Sequence, residues 1–285
     1  MTKLKVACVQ TSSRPDPQEN IDIVLPLIRE AHAQGAQLIT TPEIVGMLEP
    51  KRALSLQKAK PEETHEVLAA FRGIAAELGV WLLAGSLSIK LSKDKLANRS
   101  FMINDRGEIV ARYDKIHMFD VQVGDGHQYR ESHTYQPGEE PVLVDTPWGR
   151  FGMTICYDIR FAYLYRKLAH AGAKMIFAPA AFTKVTGEAH WHVLQRARAI
   201  ETGTFIVSAA QTGTHEGGRQ TYGHSVIVDP WGKILSDGGE EVGVSMAEVD
   251  LAEVEAARGK VPSLTHDREL GEPVAYGEAL REAGE

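Results

Sequence analysis

The sequence predicts an α/β protein. Apolar, β-rich runs alternate with stretches of helical periodicity along nearly the whole chain, the pattern of sheets covered by helices. Two distant segments, AHAQGAQLITTPE (residues 31–43) and LAHAGAKMIFAPA (residues 168–180), each run from a helix end through a Gly-Ala turn into a strand followed by proline. Either such turns simply look alike, or the fold has two similar halves. No Pro/Gly/Ser-rich linker divides the chain, so residues 1–285 are read as one domain. Residues 262–285, with Pro273 and several charges, read as an extended C-terminal arm.

The elements follow in order. KLKVACVQ, residues 3–10, reads as a strand. Residues 20–33 place Ile21, Val24, Leu25 and Ile28 on one side of a helix that Gly35 closes. A short buried strand at 38–41, a helix at 63–78 and a strand at 80–89 come next. Later strands are expected at 109–112, 142–145, 151–156, 175–178, 205–210 and 225–229, with helices at 161–171 and 190–201.

Bulk properties narrow the function. A hydrophobic fraction of 43% and a charged fraction of 24% suit a globular protein. A net charge of -7 without long charged blocks argues against nucleic acid or an anionic membrane as partner. No segment approaches membrane-spanning length, and MTKLKVACVQ runs into a strand rather than an apolar leader. Two cysteines, Cys8 and Cys156, make no disulfide framework. A cytoplasmic protein is expected.

Three polar residues end strand-like runs: Glu43 after LITTP, Lys115 after IVARYD, and Cys156 in GMTICYDIR. Ligands in open α/β sheets bind beyond the carboxyl ends of strands. A thiol must lose its proton to attack, which a carboxylate can accept, and a lysine can hold a developing oxyanion. Each residue also has a plainer reading: a packed sulfur, as at Cys8, a turn carboxylate, a solvated amine. Sequence spacing alone does not bring the three together. Among the histidines, His190 and His192 are two apart on a helix and do not share a face. His117, His127 and His133 lack metal-ligand spacing, and His224 reads as a hydrogen-bonding residue. No metal is expected.

TTPEIVGM, RYDKIHMFDV and GMTICYDIRF, in that order, resemble the Glu, Lys and Cys signatures of the nitrilase superfamily of carbon–nitrogen hydrolases. The resemblance runs from VACVQ to VPSLTHDR and implies a four-layer α-β-β-α sandwich with pseudo-symmetric halves. By motif position it implies Glu43 as general base, Lys115 as oxyanion stabiliser and Cys156 as nucleophile. It further implies Glu131 as a second active-site glutamate and the Tyr157 amide as the rest of the oxyanion hole. No organic cofactor is needed for such chemistry, and the partner is a small-molecule amide. FTKVTGEAHWHVLQRARAIET and SAAQTGTHEGGRQTYGHSVIVDPWG look most like the deaminated glutathione amidase branch, with omega-amidase its neighbour. Substrates of both carry a carboxylate on the acyl half, which makes Arg160 the implied anion clamp, with Phe182 and Thr186 lining the pocket. The chain departs from the family pattern at Tyr163, where Glu is common. A homodimer or higher homo-oligomer through the helices after Cys156 is also implied. Alternatives are an omega-amidase acting on 2-oxoglutaramate, an N-carbamoyl amide hydrolase, a nitrilase, or a non-catalytic interaction module.

Overall fold

The computed structural model describes residues 3–274. The first half runs β1 (Lys3–Gln10), α1 (Pro17–Ala33), β2 (Leu38–Thr40), α2 (Arg52–Lys58), α3 (Glu66–Leu78), β3 (Trp81–Lys90), β4 (Leu96–Ile103) and β5 (Ile109–Asp114). A hairpin, β6 (Asp120–Gln122) and β7 (Gln128–Arg130), and a single turn, α4 (Glu131–Thr134), lead to the second half. There β8 (Val142–Thr146), β9 (Gly149–Met153), α5 (Ala162–His170), β10 (Met175–Phe177), α6 (Lys184–Thr202) and β11 (Phe205–Ser208) follow. The chain then makes a hairpin, β12 (Thr212–Thr214) and β13 (Gln220–Tyr222), before β14 (Val226–Val228), β15 (Ile234–Asp237), β16 (Gly243–Asp250) and α7 (Ala252–Lys260).

The strands form two six-stranded sheets, β16-β1-β2-β3-β4-β5 and β8-β9-β10-β11-β14-β15. Read in those orders, both sheets pair antiparallel, parallel, parallel, antiparallel, antiparallel. The halves are therefore alike, and the two similar segments occupy the same place in each, feeding β2 and β10. Their turns match bond for bond. Gly35 (φ 90°) and Gly172 (φ 95°) take the left-handed conformation that glycine tolerates. In both, the glycine N–H bonds three residues back (His32, Ala169) and the next N–H five back (Ala31, Leu168), a Schellman closure.

Strand alternation stacks the layers. Leu4, Val6 and Cys8 of β1 point into the core shared with the second sheet, while Ala7 and Val9 point at Ile21, Val24 and Ile28 of α1 and Phe71 of α3. Leu164, Tyr165 and Leu168 of α5 and Trp191 and Ala199 of α6 cover the second sheet. The order is helices, sheet, sheet, helices, the expected four-layer sandwich.

Boundaries moved where side chains override periodicity. α1 begins at Pro17 because Asp16 caps it, accepting from the Gln18 and Glu19 N–H groups at 2.8 and 3.1 Å. α6 begins at Lys184, well before residue 190, and runs through Gly187. A Cβ there would lie 2.3 Å from Tyr222 Cβ, so glycine permits the close packing of α6 on β13. The strand expected at 151–156 stops at Met153. Part of the expected arm, residues 275–285, lies outside the described residues. Its start makes a 3-10 turn at Ser263–His266, and Asp267 pairs with Arg166 and His170 of α5.

Candidate active site

The carboxyl ends of the strands bring the expected residues together. Glu43 follows β2, Lys115 directly follows β5, and Cys156 lies three residues beyond β9. All three are buried, at 4, 2 and 6% exposure, and Glu131 reaches them from the first turn of α4. Lys115 Nζ donates to Glu43 Oε1 at 2.8 Å and to both Glu131 oxygens at 3.0 and 2.8 Å. Glu43 Oε2 accepts from the Ala181 N–H at 2.8 Å, and Glu131 Oε2 from the Phe119 N–H at 2.7 Å.

One residue that sequence reasoning missed joins these carboxylates. Asn98 Nδ2, from the middle of β4, donates to Glu43 Oε1 at 2.9 Å and to Glu131 Oε1 at 3.0 Å. In the run LANRSFMI it is one of three consecutive polar residues, Asn98, Arg99 and Ser100, so its sequence alone did not single it out.

The charge state follows from burial. Desolvation alone drives the Lys115 amine toward neutrality, but Glu131 and Glu43 outweigh it and hold the ammonium well above the usual lysine range. Burial likewise lifts Glu43, and the Lys115 charge and hydrogen bond bring it back below the ordinary carboxylate range. Burial, then the charge of Glu43, pushes the Cys156 thiol far up, with Lys115 opposing. The resting site is an ammonium between two carboxylates beside a protonated thiol.

Cys156 sits at φ 48°, a left-handed conformation costly for a side chain with a Cβ. It opens a 3-10 turn, Cys156–Arg160, and its N–H is fixed by the Pro179 carbonyl at 2.9 Å. The Tyr157 N–H falls in the leading part of that turn, where amides have no acceptor inside the helix. Asp158, fully buried and also missed from sequence, holds the elbow. It accepts from the Ile155 N–H at 2.8 Å, the Tyr113 hydroxyl at 2.6 Å, and the His117 N–H and Nδ1 at 3.1 and 2.6 Å. His117 Nε2 bonds in turn to the hydroxyl of Tyr163, the position where Glu was the commoner pattern. His127 and His133 line the cavity described next rather than this network.

A cavity of about 450 Å³ opens over the cluster. Tyr157, Phe182 and Thr186 line it, but Arg160 is not among the lining residues. The Arg160 guanidinium lies over the rings of Phe182 (5.2 Å) and Tyr157 (5.8 Å) and within 3.3 Å of His190 Nδ1. A different arginine, Arg219, lines the cavity. Nothing in its local sequence, GGRQ, distinguishes it. Elsewhere His192 and His224 converge on Asp237, each at 2.9 Å. Those two hydrogen bonds account for a trio whose ligand-type atoms lie within 4.8 Å, and His224 has the hydrogen-bonding place expected for it. Cys8 is wholly buried between the sheets, with burial raising its thiol far out of range.

A family model described as carbon-nitrogen hydrolase matches residues 5–259. The chain belongs to this family. Deaminated glutathione amidase of Yersinia enterocolitica is 41% identical over 94% of this chain and 94% of its own. The crystal structure of Saccharomyces cerevisiae Nit3, described as a member of branch 10 of the nitrilase superfamily, superposes with a TM-score of 0.82 at 30% identity, over 92% of this chain and 95% of that one. A glutamate-to-glutamine variant of the amidase from Nesterenkonia sp. AN1 superposes at 0.79 and 26% identity over 93% and 94% of the two chains. That structure shows covalent addition of the acetamide moiety of fluoroacetamide at the active-site cysteine. The protein is thus a carbon–nitrogen hydrolase and an amidase.

Proposed function

We propose that Cys156, Glu43 and Lys115, with Glu131, form the catalytic set of an amidase acting on deaminated glutathione. The convergence of Lys115 between Glu43 and Glu131 beside a left-handed Cys156 carries this reading. Cys156 Sγ attacks the amide carbonyl carbon while its proton passes to Glu43. The oxyanion is held by the Lys115 ammonium and the Tyr157 N–H. Glu43 returns the proton to the departing nitrogen, leaving a thioester on Cys156. Water, deprotonated by Glu43, then hydrolyses the thioester. Glu131 and Asn98 fix the Lys115 amine and the Glu43 carboxylate throughout.

The substrate assignment is supported by the names of the relatives at about 40% identity. Arg160 is the proposed partner of the acyl-half carboxylate, reached by rotating from His190, with Phe182 and Thr186 as walls. The experiment is a comparison of specificity constants for deaminated glutathione, 2-oxoglutaramate, an uncharged aliphatic amide, an N-carbamoyl amide and a nitrile. Deaminated glutathione is expected to rank first. A preference for 2-oxoglutaramate would make the protein an omega-amidase, and a preference for the uncharged amide would remove the carboxylate clamp.

The same reading treats the chain as one domain that works in the cytoplasm and pairs as a homodimer. Val185, Val193 and Ile200 of α6 and Tyr163 of α5 are exposed apolar side chains on the outer helical layer, a surface suited to a second copy. No helix among the described residues is long and apolar enough to cross a membrane.

A further inference from the structure

Resting on the amidase reading above, we propose that Arg219 recognises a carboxylate on the amine half of the substrate, so that the site reads a negative charge on both sides of the scissile bond. Lys115, Glu49 and Arg219 line the cavity together with Arg52 and Arg130. Lys115 is occupied by Glu43 and Glu131, and Glu49 by Lys58 at 2.7 Å. Arg219 makes no ion pair with any described carboxylate, although it lines the same cavity. Glu216, in the same turn, is exposed and makes no ion pair with it. The Arg219 Nε atom is shielded from solvent and lacks an acceptor. Its charge helps to lower Glu43 from a distance, but a guanidinium held inward with no carboxylate directly paired to it is a standing demand for an anion.

Its position identifies which anion. Arg219 Nη2 donates to the Ala181 carbonyl at 2.5 Å, and the N–H of the same Ala181 donates to Glu43. The guanidinium also lies over the Tyr129 ring at 5.5 Å. The β12–β13 turn that carries it is closed by the His215 N–H to the Arg219 carbonyl at 2.8 Å, and Tyr222 N–H bonds the Phe182 carbonyl at 3.0 Å. Arg219 is thus tethered to the same residue, Ala181, whose N–H fixes the base. Glu43 delivers the proton to the leaving nitrogen, so the leaving group lies on the Glu43 side. The amine released from deaminated glutathione is a dipeptide, cysteinylglycine. Two extended residues span about 7 Å, which sets its terminal carboxylate outward from the base, toward Arg219 and the rim cations Arg52 and Arg130. Arg160, outside the lining and beside Phe182, serves the other half.

The test compares deaminated glutathione with the same compound bearing a terminal carboxamide in place of the glycine carboxylate. Wild type is expected to prefer the carboxylate by roughly tenfold to a hundredfold in kcat/KM, chiefly through KM. In Arg219→Gln that preference falls to near one, and Arg219→Lys restores part of it. A wild-type preference near one overturns the proposal, and this measurement needs no variant to fold. An undiminished preference in Arg219→Gln overturns it as well. If the wild type hydrolyses neither compound, the amidase reading of the substrate is what fails. The role of Arg219 is then decided by protection of Cys156 from alkylation. Serylglycine should protect better than its C-terminal amide, and equal protection contradicts the inference.

Discussion

Burial and the adjacent Glu43 carboxylate push the Cys156 thiol well above its usual range, with Lys115 pulling the other way. On the proposed mechanism a free thiolate is therefore not the resting nucleophile, and proton transfer to Glu43 accompanies attack. Because Glu43 is held ionised below the ordinary carboxylate range, its capacity as base is present at neutral pH and lost only in acid. Alkylation of Cys156 by iodoacetamide should be nearly flat between about pH 6 and pH 8, whereas an ordinary thiol gains roughly tenfold per pH unit there. A tenfold rise per unit would contradict the shared proton. Lys115→Ala and Glu43→Gln are each expected to lose on the order of a hundredfold or more in kcat, measured by product release. Cys8→Ala should keep its activity, since Cys8 is packed between the sheets far from solvent.

His215 gives a residue-scale prediction about stability. Burial, with Arg219 adding to it, lowers its imidazole from 6.5 to about 4. The folded state holds the neutral ring, and the unfolded chain binds the proton more readily. Its contribution is present above the unfolded value and fades as pH falls from about 6.5 through about 4. The shift corresponds to roughly 3 kcal/mol, and His215→Asn should flatten the corresponding stretch of an acid-unfolding curve. A curve of unchanged slope would show that other groups carry the acid response.

At the scale of elements, Cys156, the proposed nucleophile, is presented by a strand that stops early. A run such as FGMTIC reads as continuous strand because all but its glycine are residues that pack well in one. The stop is imposed by Asp158 accepting the Ile155 N–H and by the left-handed turn at Cys156. Asp158→Ala should therefore leave Tyr113 and His117 without their acceptor and cost about 3–5 kcal/mol, as for other broken buried charge networks, measured by denaturant unfolding. Loss below about 1 kcal/mol, the level of an ordinary surface change, would deny Asp158 that structural role. Gly187 offers the parallel case on α6. A methyl group placed 2.3 Å from Tyr222 Cβ forces the helix off β13, and Gly187→Ala is expected to destabilise by about 1–3 kcal/mol. The same glycine hid the first turns of α6 from periodicity, since glycine in a helix interior argues against one until its neighbour is known.

For the whole molecule, the four-layer order came from the family resemblance, and the repeated Gly-Ala turn left two similar halves as one of two readings. The alternation of strands and helices was legible because buried strands and one-sided helices carry strong periodic signals. The closing strand β16 was not, because its residues are half-exposed along most of its length and its partner β1 lies at the opposite end of the chain. Within the site, Glu43, Lys115 and Cys156 were visible as polar ends of strands. Asn98 acts through Glu43 and Glu131, 55 and 33 residues away, and Arg219 through Ala181, 38 residues away, and only the packed fold puts them together. Acyl transfer through Cys156 underlies every proposed step, and it is read out by intact-protein mass spectrometry of the wild type, acid-quenched during turnover of deaminated glutathione. An added mass equal to the 2-oxoglutaryl group, mapped by peptide digestion to Cys156, is expected. An adduct on Cys8, or turnover that continues in Cys156→Ala, would contradict it.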